Sequence, residues 1–290
     1  MTRFSTGGFS TRLFGRRPPV VPVVRLTGTL LARGGLRQSL SMESVAPLLE
    51  RAFGQRGARA VALVINSPGG APVQASQIHA RVRQLADEKK LPVLVFVEDV
   101  AASGGYWLAC AGDEIFVDET SIVGSIGVVA ASFGFQDFIA RHGVERRLHT
   151  AGSRKGQLDP FLPQNPDDVR RLHQVLDEMH ARFQRLVVDR RRGRLKASED
   201  ELFSGEFWTG TRAVDLGLAD GVGELRATLR HRFGDRVRLK PITAGRKFRL
   251  AVPGFARGQG APEPLSLAAL AADGLIESAE ARALWARFGL

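Results

Sequence analysis

Two short apolar runs are each followed by a glycine-rich turn and then by the apolar spacing of a helix. The first run covers residues 60–65 (AVALVI) and leads into residues 66–70 (NSPGG), while the second covers residues 92–97 (PVLVFV) and leads into residues 101–107 (AASGGYW). Near-continuous apolar strands are typical of parallel sheets that are covered on both faces. Because strands that alternate with helices favour a parallel arrangement, the pattern predicts an α/β fold with a largely parallel sheet. A further strand is predicted over residues 123–129.

Both glycine turns lie at the carboxyl ends of their strands, where open parallel sheets bind ligands. In the second turn, Ser103 stands where the strand passes into the helix. The first backbone N–H groups of a helix have no partner inside it, and its dipole favours developing negative charge there. Gly104 and Gly105 carry no side chains, so a substrate backbone can come close. On this stretch alone, an N-cap is the simpler interpretation of Ser103, because serine is a favoured capping residue.

The apolar spacing elsewhere predicts helices over residues 42–53, 73–85, 165–190 and 278–288. In the longest of these, Asn165 suits the N-cap position and is followed by a proline, which suits the first helical position. The apolar face of this long helix is predicted to be buried and consists of Val169, Leu172, Val175, Leu176, Met179, Phe183 and Leu186.

The composition is that of a globular protein. Hydrophobic residues make up 44% of the 290 positions, which is enough for a packed core. The single cysteine, Cys110, excludes an internal disulfide and fits a reducing compartment. No run approaches the about 18 uninterrupted apolar residues that a membrane span needs, and residues 1–17 lack the apolar core of a secretory signal. We therefore expect a protein that is cytoplasmic or peripheral at the membrane.

The formal charge of +11 is concentrated in two basic stretches, residues 1–17 and 226–249. Basic patches suit phosphate groups, so peripheral contact with an anionic membrane is one interpretation. A solvated surface is the simpler one, because these stretches lack interleaved aromatic residues. Without a nucleic-acid-binding motif, no nucleic-acid partner is expected.

A serine nucleophile needs a base that takes its proton. The spacing of the six histidines selects none of them, so a Ser-His-Asp triad stays open, and His173 and His180 are interpreted as structural. Lys155 is another possible base, and it lies inside a glycine-flanked segment at residues 150–160 (TAGSRKGQLDP). Taken by itself, it is more simply interpreted as a charged residue of a loop. The chain has no His-Glu-x-x-His motif, Cys/His cluster or phosphate loop, so no metal and no cofactor are expected.

Five motifs occur in the order seen in the signal peptide peptidase A family, the S49 serine peptidases. They are residues 66–70 (NSPGG), residues 102–107 (ASGGYW), residues 124–128 (GSIGV), the Lys155 segment, and residues 208–210 (WTG) with residues 217–221 (GLADG). The chain resembles this family over roughly residues 20 to 235. The resemblance implies a ClpP/crotonase-like fold of stacked ββα units, which agrees with the strand-turn-helix repeat.

Carried over by motif, the resemblance implies a Ser-Lys dyad with Ser103 as the nucleophile and Lys155 as the general base. Gly70 and Gly104 would supply the N–H groups of an oxyanion hole, and Ser125 would orient the lysine. Lysine acts as a base only when neutral, so its ammonium must be desolvated by burial, which lowers its pKa.

The activity implied is that of a serine endopeptidase acting on extended, mainly apolar peptides, such as cleaved signal peptides, in a homo-oligomer. Many members of the family carry a membrane anchor, for which this sequence offers no candidate. Two alternatives stay open. One is a catalytically idle scaffold that binds membranes or partners through its basic surface, and the other is a crotonase-like enzyme that binds an acyl-CoA.

Three regions follow from the motifs and the composition. Residues 1–19 are interpreted as a basic mobile arm, residues 20–235 as the peptidase-like catalytic domain, and residues 236–290 as a basic C-terminal extension that ends in an amphipathic helix. This extension is expected to form an oligomer contact or to lie over the active site.

Overall fold

A computed structural model describes residues 18–31, 39–243, 279 and 282–290. Most of the predicted N-terminal arm and most of the predicted C-terminal extension lie outside these ranges. In chain order the elements are β1 (Val20–Thr27), α1 (Met42–Phe53), β2 (Val61–Ser67), α2 (Pro72–Lys89), β3 (Val93–Ala102), α3 (Gly104–Ala109), β4 (Glu114–Val117), β5 (Ile122–Gly124), α4 (Gln136–Arg141), α5 (Pro166–Arg190), α6 (Glu199–Leu202), β6 (Phe207–Thr209), α7 (Gly210–Asp215), β7 (Gly221–Val222), α8 (Leu225–Phe233) and β8 (Arg238–Pro241).

One eight-stranded sheet organises these elements, with the strand order β6-β5-β3-β2-β1-β8 and with β4 pairing to both β3 and β7. Every pair is parallel except β5 with β6. The predicted α/β fold with a largely parallel sheet is therefore confirmed. Strand β8 pairs with β1, so the sheet continues past residue 235.

Two core clusters cover the two faces of the sheet, because successive side chains of a strand point to opposite faces. Val61 and Leu63 of β2 belong to the larger cluster, which includes buried residues of α1, α2, α3 and α5. Ala62 and Val64 belong to the smaller cluster, together with Leu229 of α8. Burial on both faces explains why β2 and β3 appear in the sequence as apolar runs rather than as alternating ones.

A hydrogen-bonded cap fixes the start of the first helix. Ser41 caps α1 in a capping box with Ser44, and the predicted bounds of this helix are confirmed.

Strand β3 runs to Ala102, five residues past its predicted end. The added residues stay in the sheet because the Asn66 side chain accepts the Val100 N–H at 3.3 Å, at the point where the register of β2 and β3 shifts.

Helix α5 begins as predicted, with the Asn165 side chain accepting the Asp167 N–H at 2.8 Å. The prediction that its whole apolar face is buried is wrong. Only Phe183 of that face is buried, together with Val187, while Val175 is 53% exposed. The first half of the helix lies away from the core, and an apolar face in the sequence does not specify what covers it.

The chain between β5 and α5 forms an exposed arm, residues 129–165, in which no residue is buried. The predicted strand over residues 123–129 ends at Gly124, and α4 is the only helix within this range. Large apolar side chains are exposed along the arm, among them Phe133 at 79% and Phe138 at 61%.

The C-terminal segment, residues 282–290, is helical over residues 282–286. Phe288 is buried against Val100 and Ala102 at the end of β3, and its ring meets the ring of Phe207 edge-on, with centroids 5.2 Å apart. This packing holds the segment beside the carboxyl ends of the central strands. Within the described ranges, no helix has the length and hydropathy of a membrane span.

Candidate active site

Ser103 occupies a strained turn between β3 and α3. Its φ of 52° and ψ of −122° lie in a region that residues with side chains rarely adopt. The side chain makes no capping hydrogen bond, so the N-cap interpretation is wrong. The backbone N–H instead donates to the Gly124 carbonyl at 2.8 Å, and the backbone carbonyl accepts the Trp107 N–H at 3.0 Å. Ser103 is half-buried, and it lines a cavity.

The two glycine turns come into direct contact beside Ser103. A Cβ atom placed on Gly69 would lie 2.9 Å from both the Gly104 nitrogen and the Ser103 Cβ, and one placed on Gly104 would lie 3.5 Å from the Gly70 nitrogen. Gly70 has φ +130°, and a Cβ there would come within 2.2 Å of the Leu30 carbonyl oxygen. Only glycine fits this approach of two backbones.

The N–H groups of Gly70 and Gly104 therefore lie close together next to the serine. Within the described residues, neither donates a hydrogen bond to another backbone group. Two free N–H donors beside a serine can stabilise the negative oxygen that forms when a carbonyl is attacked. The structure thus brings together three of the residues singled out from the sequence.

A cavity of about 600 Å³ opens in front of these groups. Its walls come from the starts of α2 and α3, from the chain after β5, from the second half of α5 and from the C-terminal segment. Trp107 is buried in the wall, and its ring packs against Phe183 with centroids 4.9 Å apart. The wall also includes the apolar side chains of Val73, Val128, Val129, Met179 and Leu284. A mostly apolar cavity with a few polar groups at one end is the usual form of a substrate site.

Ser125 lies next along the chain to Gly124, which accepts the Ser103 N–H. It is 7% exposed and has φ +51°, and its N–H donates to the Glu206 carbonyl at 2.6 Å. A second strained serine therefore follows β5 directly and lies next to Gly124, the residue to which the Ser103 turn is bonded.

Lys155 lies on the exposed arm, and its side chain is exposed. It does not line the cavity. The hydrogen bonds of the described residues include none between Lys155 and Ser103. A single chain therefore does not bring the predicted base to the predicted nucleophile.

Two histidines lie near the cavity without lining it. His180 of α5 has its Nε2 atom 3.1 Å from the Ile126 carbonyl oxygen. His79 of α2 is 9% exposed, and burial, followed by the charge of Arg190, lowers its pKa to about 4. No group of three or more His, Cys, Asp or Glu side chains in the described ranges is arranged to hold a metal ion.

The cavity residues that the sequence analysis did not single out include Arg182, Leu284 and Arg287. Arg182 follows the apolar position Met179 by three residues, so helical spacing could have placed it on the same side of α5. Leu284 and Arg287 reach the site only through tertiary packing, and no local pattern indicates it.

Comparison with known proteins settles the family. The model of peptidase family S49 matches residues 85–232, which include Ser103, Gly104, Ser125 and Lys155. The chain belongs to peptidase family S49. The family and the protease names of several relatives support a peptidase function.

Among these relatives is Protease 4 of Haemophilus influenzae, which is 30% identical over 71% of this chain and 33% of its own length. A putative protease of Methanocaldococcus jannaschii is 32% identical over 57% of this chain and 52% of its own length. The Na(+)/H(+) antiporter NhaA of Brucella abortus is 51% identical over 99% of this chain. The chain spans only 40% of that antiporter's length.

Proposed function

We propose that the protein is a serine endopeptidase in which Ser103 attacks the peptide carbonyl and Lys155 of a neighbouring copy accepts the serine proton. The observation that carries the proposal is the contact of the two glycine turns, which sets the N–H groups of Gly70 and Gly104 beside Ser103. A capping or packing serine needs no such arrangement.

The chemistry proceeds through an acyl-enzyme. The Ser103 Oγ atom forms a bond to the carbonyl carbon while its proton passes to the neutral amine of Lys155. The carbonyl oxygen becomes negative and accepts hydrogen bonds from the Gly70 and Gly104 N–H groups, each worth about 3 kcal/mol in the transition state. The lysine then returns the proton to the leaving amine, and a water molecule, activated by the same lysine, hydrolyses the ester.

A second copy is required because of where Lys155 lies. A lysine is neutral near pH 7 only when burial lowers its pKa by several units, yet this side chain is exposed in the single chain. Contact of the arm with the cavity of a neighbour would bury the amine next to that neighbour's Ser103. The buried Ser125 of the neighbour would then orient the amine.

The apolar surface of the arm supports such an assembly. Phe133, Phe138 and Val144 are 79%, 61% and 57% exposed, and large apolar side chains that are exposed together on one segment mark an interaction site when they form a patch. Closed, symmetric homo-oligomers are the usual way in which identical chains cover such surfaces. A ring in which each arm reaches the next cavity would restrict access to extended, unfolded peptides.

The apolar walls of the cavity favour apolar substrate residues, as in cleaved signal peptides. The test is cleavage of a fluorogenic apolar peptide as a function of pH by the wild type, Ser103→Ala and Lys155→Ala. Activity is expected to rise with pH above neutral and to be lost in both variants. Lys89→Ala is the matched control, because Lys89 is exposed at the far end of α2.

Mixing the two inactive variants tests the sharing of the site. If the dyad is formed between copies, a working site needs one copy with an intact Ser103 and a neighbour with an intact Lys155. Assemblies refolded from equal amounts of Ser103→Ala and Lys155→Ala should therefore regain about a quarter of the sites. Full activity of Lys155→Ala would contradict the proposed base. Absence of cleavage by the wild type across peptide classes would contradict the peptidase proposal itself.

A further inference from the structure

Two arginines stand on the wall of the Ser103 cavity, Arg182 from α5 and Arg287 from the C-terminal segment. Both are exposed, and neither forms a salt bridge with any residue of the described ranges. Other arginines of the same region do have acidic partners, since Arg190 reaches Asp113 at 3.4 Å and Arg191 reaches Asp220 at 2.7 Å. No acidic residue of the described ranges therefore competes with a ligand for the guanidinium groups at the cavity.

The position of Arg287 is set by its neighbours in the sequence. Phe288 is buried at the ends of the central strands, and Trp285 packs against the same cluster. Leu284, three residues before Arg287, lines the cavity as well. The C-terminal segment thus places an apolar and a cationic side chain on the wall that faces the nucleophile.

The charge of the cavity wall is positive. Glu178 is its single acidic side chain, one turn of α5 before Arg182, and no salt bridge joins the two. The remaining wall is mostly apolar, and a charge interaction beside an apolar surface is stronger than one in open water. An arginine can hold a carboxylate through two parallel hydrogen bonds, which neither a backbone amide nor a hydroxyl of the substrate can match.

We propose that Arg182 and Arg287 bind a carboxylate of the peptide substrate, so that the site prefers apolar peptides that carry one negative charge. This inference rests on the proposed peptidase function, and it names the substrate class of the same cavity. The carboxylate is either the side chain of an Asp or Glu residue or the C-terminal group of the peptide.

The test is equilibrium binding of labelled peptides to full-length Ser103→Ala, measured by fluorescence anisotropy. A set of short apolar peptides carries Glu at each position in turn, with a matched Gln peptide for each, and every peptide is made with a free and with an amidated C-terminus. At least one carboxylate form is expected to bind about tenfold more tightly than its neutral partner. A gain confined to the free C-terminus identifies the terminal group, and a gain confined to one Glu position identifies the side chain.

Arg182→Gln and Arg287→Gln, each added to Ser103→Ala, are expected to reduce this preference several-fold, and the double change to abolish it. Arg185→Gln and Arg282→Gln are matched controls on the same two elements, because both arginines lie outside the cavity wall. Thermal unfolding of each variant checks that the fold is kept. Equal binding of charged and neutral peptides, no binding of either, or a preference that survives the double change would overturn the inference.

The binding measurement does not depend on turnover, which is tested separately with the wild type. A wild type that cleaves charged and neutral peptides equally contradicts the carboxylate preference and leaves the peptidase function standing. A preference in binding without any cleavage contradicts the peptidase function and leaves the carboxylate site standing.

Discussion

The backbone N–H of Ser103 donates to the carbonyl of Gly124 at a distance of 2.8 Å. This bond fastens the turn after β3 to the last residue of β5, the neighbouring strand in the sheet. The turn therefore keeps its unfavourable φ and ψ because the sheet on one side and the glycine contact on the other determine its path. Strain that the surrounding structure imposes at one residue is characteristic of functional positions.

The strain at Ser103 predicts an unusual stability effect. Replacing Ser103 by Gly removes a penalty of about 1–3 kcal/mol, while the extra chain entropy of glycine costs roughly 0.5–1 kcal/mol. We expect Ser103→Gly to have a free energy of unfolding about 1 kcal/mol above that of Ser103→Ala, with neither variant active. Urea unfolding measures the difference, and a less stable glycine variant would show that the turn is not strained.

The close approach of Gly70 to the Leu30 backbone predicts that Gly70→Ala is severe. The new Cβ would lie 2.2 Å from the Leu30 carbonyl oxygen and would require a positive φ. We expect a loss of about 2–4 kcal/mol in the free energy of unfolding, together with loss of peptide cleavage. Gly134→Ala is the control, because nothing lies within 4 Å of a Cβ at that position. Similar stabilities of the two variants would mean that the Gly70 and Leu30 backbones do not approach so closely.

The sequence predicts the sheet and the meeting of the glycine turns because both follow from local patterns. Apolar runs specify the strands, and parallel strands bring their carboxyl ends, and hence Gly70 and Gly104, to the same edge. Ser103 lies at that edge for the same reason. Its φ and ψ values could not be read from the sequence, since an N-cap serine and a strained serine occupy the same place in the pattern.

The sequence leads only to the expectation that the C-terminal extension forms an oligomer contact or lies over the active site, and it does not specify which residues cover the site. The apolar face of α5 shows that something must pack there, and the structure leaves Val175 half exposed. The wall formed by Leu284 and Arg287 depends on contacts between residues more than 150 positions apart, such as Phe288 with Val100. Amphipathic spacing tells which side of a helix is apolar, but it does not identify the partner surface.

The ion pair of Arg191 with Asp220 predicts a large destabilisation when it is broken. The Arg191 side chain is 2% exposed, and its guanidinium also donates to the Gly217 carbonyl at 2.9 and 3.0 Å. Arg191→Met removes the guanidinium from the Gly217 carbonyl and from the mostly buried Asp220 carboxylate. Arg194 still reaches Asp220 at 3.1 Å. We expect a loss of about 3 kcal/mol in the free energy of unfolding.

Arg192→Met is the matched control for this change. Its side chain is 84% exposed and lies 3.8 Å from Asp189, so its removal should alter the free energy of unfolding by less than about 0.5 kcal/mol. A loss at Arg191 no larger than the loss at Arg192 would mean that the buried pair contributes little to the fold.

His79 predicts that the protein loses stability in mild acid. Burial, with the charges of Arg190, Arg83 and Arg182, lowers the pKa of His79 to about 4 from the ordinary value of 6.5. The unfolded chain therefore binds this proton at a higher pH than the folded chain does, so the free energy of unfolding falls as the pH drops from 6.5 towards 4. The full effect is roughly 3 kcal/mol.

We expect His79→Gln to remove this share of the acid sensitivity, because glutamine takes up no proton in this range. Urea unfolding at about pH 7 and about pH 4 gives, for the wild type and for the variant, the slope of the free energy of unfolding against pH. His231→Gln serves as the control, since His231 is exposed on α8, and it should keep the slope of the wild type. Equal slopes for all three proteins would mean that His79 is protonated as readily in the folded chain as in the unfolded one, and that its unpartnered Nε2 atom is reached by water.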